Sequence, residues 1–254
     1  MRHLAFILSP LTKIVEETVT ACYGIGDGIN TSSISEHVFQ SLFLRMTGAQ
    51  EQKMKCICWD MATYDYEYRY DRYSKDSLGE CSNYSDKKKV INDIIDNIKN
   101  DEKDFDPLNS IGLDGILSDL REDMDKLFKG TNLFIWKSQD FWQCSEILTN
   151  INKSHLFVRG KKNKIEVFKS DERNGIGGGY KDLQEIYKKV YRHRNRCAHN
   201  TLSYQENLPT LKTLSDEDYV YENYFLRYAI LILIDKITIS LYKKYLDVNG
   251  YVTI

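Results

Sequence analysis

The chain has little that would break or stiffen it: three prolines and fourteen glycines in 254 residues. With 42% apolar and 28% charged residues, that scarcity argues against a β-sandwich and against disorder, and favours helices around an ordinary core. Long hydrophobic runs are also lacking. The greasiest segment, Tyr228 to Ile234, meets Asp235 and Lys236 at once, well short of the roughly 20 apolar residues a bilayer span needs. It is read as a buried helix, and no membrane partner is expected. The apolar opening, Met1 to Leu8, ends at Ser9, Pro10 and Lys13 without a small-residue cleavage site, so export is not expected.

Disulfide and metal signatures are missing too. The six cysteines are scattered, no pair has CxxC spacing, and a chain of this length does not need disulfides, which points to a reducing cytoplasm. Cys56 and Cys58 face opposite sides of a helix without two further ligands nearby, and the acidic stretch from Asp93 to Asp125 lacks EF-hand spacing, so neither a metal nor another cofactor is expected. The glycine strings at 24–28 and 177–179 lack the preceding strand and following Lys-Ser/Thr of a phosphate-binding loop and read as turns. Net charge is close to zero, at −2, so no basic field covers the whole molecule and any RNA surface must be local. One such surface exists: between Lys181 and Asn200 six lysines and arginines face only Asp182 and Glu185.

What is present is helical periodicity. Leu11 to Cys22 reads as a short helix. Ser33 and Glu36 have capping-box spacing, followed by Ile34, Val38, Leu42 and Met46, which starts a helix near 33. From Ala49 to about Tyr73, Met54, Ile57, Met61, Tyr64 and Tyr68 mark the inner face of another, with Lys53, Asp60, Glu67 and Arg69 on its outer face. A polar, irregular stretch over 74–85 precedes a helix over 87–100. Leu156–Val158 and Ile165–Phe168 flank a basic tip and predict a small β-hairpin. Helices over about 180–199 and 216–246 close the chain. The expectation is an all-α, mainly helical single domain over 1–254, with an insertion or lobe at 74–170.

The penultimate helix carries the chemistry. Leu183, Ile186, Tyr187, Val190, Tyr191, Cys197 and Ala198 form an apolar stripe, and Arg194 falls inside it. A guanidinium there must meet a carboxylate, a carbonyl cluster or an anion held in a cleft, and a phosphate suits its planar fork. Asn195 and His199 lie one turn apart. Arg194 and His199 are five residues and about 140° apart, so their convergence needs arginine's reach, a bend, or a second copy of the helix across a twofold axis. The segment Arg194-Asn195-Arg196-Cys197-Ala198-His199 resembles the Arg-Asn-x-x-x-His signature of the HEPN (higher eukaryotes and prokaryotes nucleotide-binding) ribonucleases.

That resemblance implies an up-and-down helical bundle that dimerises so that two motifs share a cleft, and metal-independent RNA cleavage by 2′-hydroxyl attack. It implies a catalytic set of Arg194 and His199, supported by Asn195. His199 would move protons, and Arg194 would stabilise charge in the transition state. Arg192, His193, Arg196 and Asn200 would attract substrate. A toxin or antiviral-defence role follows from the same resemblance, with an antitoxin or regulatory protein as a further partner. Toxin members paired with nucleotidyltransferase antitoxins often have a tyrosine two residues past the histidine, where this chain has Thr201, so control by that modification is not expected. The alternatives are a non-catalytic HEPN-like module binding nucleotide, RNA or protein, and a structural protein in which Glu222 or Asp235 neutralises Arg194. Tyrosines 64, 66, 68, 70 and 73, with Arg69 and Arg72, read mainly as core and interface packing and secondarily as a place for RNA bases to stack.

Overall fold

The computed structural model describes residues 3–26, 28–75, 78–159, 165–168, 176, 182–199 and 223–251. The fold is all-α. Helices α1 (Leu4–Leu8) and α2 (Thr12–Cys22) lead into the long α3 (Ser32–Tyr64), the short α4 (Tyr66–Tyr70) and a π-helical turn over Asp71–Lys75. Then come α5 (Tyr84–Asp101), α6 (Pro107–Ser110), α7 (Leu113–Phe128), α8 (Asn132–Trp136) and α9 (Ser138–Asn150). Strands β1 (Phe157–Arg159) and β2 (Ile165–Val167) follow, then α10 (Leu183–His199) and α11 (Tyr224–Val248).

α11 is the axis of the molecule: α3, α5, α7, α9 and α10 all pack against it. Every residue from Asn223 to Asp235 is buried, as expected of a helix that is apolar on all sides. Phe39 of α3, Phe128 of α7, Phe141 of α9 and Phe225 and Tyr228 of α11 form a ring-on-ring centre, with Phe128 and Phe225 edge to face at 5.0 Å. Among the described residues no helix is long and apolar enough to cross a membrane.

Local chemistry sets the helix boundaries. The side chains of Asn83, Asn223 and Asp182 accept hydrogen bonds from the backbone N–H groups of Asp86, Leu226 and Glu185, satisfying donors that a helix start leaves open. The ribbon is antiparallel and pairs Phe157 with Val167 and Arg159 with Ile165. The basic tip expected between its strands lies outside the described residues.

Three expectations are corrected. The helices expected over 33–46 and from 49 onward are one 33-residue helix, because Gly48 is carried inside it instead of ending it. The Ser33–Glu36 capping box gives way to a tertiary role: α3 begins without a side-chain cap, and Glu36 binds Lys137 and Tyr224. The expected helix to Tyr73 breaks at Asp65, whose backbone is extended and whose carboxylate accepts the Tyr68 N–H at 2.9 Å, starting α4. Residues 74–170 supply α5, α7 and α9, whose apolar side chains belong to the same core as those of α3 and α11.

α3 is also covered on more sides than its periodicity suggested. Lys53 and Asp60, expected on its outer face, are buried. The Lys53 ammonium lies 2.6 Å from Asp235 Oδ1 and also donates to the Ser9 carbonyl. Asp60 accepts the Tyr242 hydroxyl hydrogen at 2.9 Å.

Candidate functional site

α10 buries Leu183, Ile186, Tyr187, Val190, Tyr191, His193 and Cys197. Its apolar stripe therefore continues from Val190 through His193 to Cys197, and Arg194 sits at the edge of that stripe. Ala198, expected in the stripe, is exposed.

Arg194 meets a carboxylate other than Asp235, and Glu222 lies outside the described residues. Its Nη2 donates to Glu51 Oε2 on α3 at 3.1 Å, and its Nη1 donates to Asn195 Oδ1 at 3.2 Å. The Glu51 side chain is 9% exposed and that of Arg194 23%. The pair thus runs from interior to surface, with its carboxylate end inside. Asp235 is occupied by Lys53 and the Leu11 N–H.

Behind the pair sits a third charge. Lys87 of α5 is buried, with its ammonium 3.7 Å from the centre of the Tyr191 ring and 5.3 Å from that of Tyr187. This cation–π contact replaces hydrogen bonding: among the described residues Lys87 Nζ, Glu51 Oε1 and the Tyr191 hydroxyl make no hydrogen bond to protein. Burial is the main force on Lys87 and pushes its pKa down to about 7, against the attraction of Glu51 and assisted by repulsion from Arg194. Tyr187 donates to Gln50 Oε1 at 2.6 Å, and Gln50 Nε2 donates to the Leu231 carbonyl at 3.2 Å, tying α10, α3 and α11 together beneath the cluster.

Of the other expected site residues, Arg192 and Asn195 are exposed on α10. His193 is corrected: it was expected to attract substrate but is 3% exposed. Its Nε2 lies 3.1 Å from the Tyr224 hydroxyl and 3.3 Å from Cys197 Sγ, and its ring packs on Phe43. Tyr224 donates in turn to Glu36, which is paired with Lys137. The physical reason is its place in the stripe, three residues past Val190 and four before Cys197. His199 ends α10. Its side chain, that of Arg196 and all of Asn200 lie outside the described residues, so the expected meeting of Arg194 with His199 does too.

Glu51 and Lys87 were not anticipated, although each carries the signal that singled out Arg194. Glu51 lies three residues before Met54, and Lys87 three before Val90, so both are charges on apolar faces. No family model, curated protein or solved structure matches the chain.

Proposed function

We propose that the chain is a metal-independent RNA endonuclease of the HEPN type, acting as a homodimer in toxin or antiviral defence. The observation that carries this reading is the Arg194 guanidinium, positioned from inside by Glu51 while its own side chain reaches the surface beside exposed Arg192 and Asn195. An arginine held in this way is oriented before substrate arrives, the arrangement that lets a cation stabilise charge developing on a phosphate.

The reaction asks little more of the chain. The ribose 2′-oxygen forms a bond to the adjacent phosphorus, the bond to the leaving 5′-oxygen breaks, and a 2′,3′-cyclic phosphate remains. One proton leaves the 2′-hydroxyl and one reaches the 5′-oxygen. His199 is the group assigned to these transfers, because an imidazole titrates near working pH. Two copies across a twofold axis supply two imidazoles, one for each proton. Asn195, already bonded to Arg194, orients the site, and Arg192, Arg196 and Asn200 draw in the RNA backbone.

Glu51 also favours a second reading, because a neutralised arginine suits a non-catalytic module that grips RNA, nucleotide or a protein partner without cutting. Product chemistry separates the two. Oligoribonucleotide incubated with the protein in EDTA should yield 2′,3′-cyclic phosphate and 5′-hydroxyl ends, and its 2′-O-methyl counterpart should stay intact. Bound but uncut RNA supports the module, and cleavage of the 2′-O-methyl strand rules out attack by the 2′-oxygen.

A further inference from the structure

The tyrosine-rich segment after α3 sorts its side chains in two directions. Tyr68 and Arg72 turn inward onto Asp93 of α5: Arg72 Nε and Nη2 lie 2.7 and 2.5 Å from its two oxygens, and the Tyr68 hydroxyl lies 3.2 Å from Oδ2. This clamp, the Asp65 cap and the π-helical turn fix the segment, and π-helical turns recur at functional sites. Tyr66, Tyr70 and Tyr73 then stand outward with Trp59 from α3, each between 50% and 72% exposed. With Arg69 they line a cleft of about 490 Å³.

Single exposed aromatics are ordinary, but four in one concavity are not. Among the described residues Arg69 is the one charged group lining this cleft. Its guanidinium lies 5.3 Å over the Tyr66 ring, and no described carboxylate pairs with it. Flat rings, phenol and indole donors at their edges, and a lone cation match a planar, anionic ligand. They do not match a cationic peptide. Trp59 is eight residues beyond Glu51 on α3, about 12 Å along the axis, or roughly three to four nucleotides at 3.4 Å per stacked base.

We propose that this cleft is a stacking site for unpaired bases of single-stranded RNA, holding the strand a few nucleotides from the phosphate at Arg194. The choice of RNA rests on the nuclease reading, whereas the stacking itself does not require cleavage. Aromatic and guanidinium faces accept any base, so the site favours unpaired over duplex RNA and reads little sequence.

The test uses His199→Ala protein and fluorescein-labelled 12-mers of oligouridylate, its deoxy counterpart and a hairpin duplex. Both single strands should raise anisotropy and quench tryptophan fluorescence, and Trp59→Phe should abolish the quenching. Tyr66→Ala and Tyr70→Ala should each weaken binding about tenfold. Tyr64→Ala, outside the cleft with its ring 4.8 Å from Tyr251, should bind as the parent does. Unchanged affinity in the Tyr66 and Tyr70 variants overturns the proposal while leaving the nuclease reading intact, and so does tighter binding of the duplex. Loss of self-association in Tyr66→Ala with RNA affinity unchanged also overturns it, assigning the patch to contact between copies. Strand binding lost through the cleft variants, in a protein that never cleaves RNA, upholds the stacking site and overturns the nuclease.

Discussion

Lys87 is the residue whose placement has the clearest thermodynamic consequence. In the unfolded chain its amine holds a proton to about pH 10.4, whereas in the fold burial lowers that to about 7. Between these values the unfolded state binds more protons, so this group makes stability rise with pH from about 7 to about 10, with its full penalty present below 7. Lys87→Met should therefore raise the melting temperature at pH 6, with a gain that shrinks toward pH 10. Melts showing an equal gain at both pH values would contradict this account of the cluster.

Lys53 and Asp235 are a different case, because each is satisfied by the other and by the backbone of residues 9–11. Removing one partner strands a buried charge, so Asp235→Ala should cost about 3–5 kcal/mol in urea unfolding. Replacing both by apolar residues should cost much less. His193→Ala should likewise lower stability, by about 1–3 kcal/mol, and leave the salt dependence of RNA binding unchanged. A reduced salt slope would return His193 to the substrate-contacting set.

α3 shows at the scale of an element what local pattern reveals and what it hides. Its apolar spacing was legible, because Leu42 and Met46, and then Met54, Ile57 and Met61, follow one another at intervals of three or four residues and are buried. Its continuity was not, since a glycine followed by alanine resembles a stop until neighbouring helices hold it in place. Gly48 lies mid-helix, and a Cβ built there meets nothing within 4 Å. Gly48→Ala should therefore stabilise the protein by about 0.5–1 kcal/mol, and destabilisation in thermal melts would show that this face is occupied. The burial of Lys53 and Asp60 could not be read from period alone, because it depends on partners about 180 residues away in sequence. α10 is the converse: its stripe and its misplaced arginine were visible, but Glu51, which explains the arginine, comes from an element 143 residues distant.

At the scale of the molecule, the low proline and glycine content and the apolar run at 228–234 anticipated an all-α protein around a buried helix. The packing of residues 74–170 into the main core was not legible, since apolar periodicity does not say which face meets which. The five-residue spacing sets Arg194 and His199 about 140° apart on one helix, so the account expects a dimer in sedimentation at micromolar concentration. Full activity from a strict monomer would refute the shared cleft. The most direct test of the central claim compares cleavage of total cellular RNA in EDTA by the intact protein, Arg194→Ala and His199→Ala, each confirmed to fold. The account predicts cleavage by the intact protein and a loss of about 100-fold or more in each variant. Cleavage retained at full rate in both variants would contradict it.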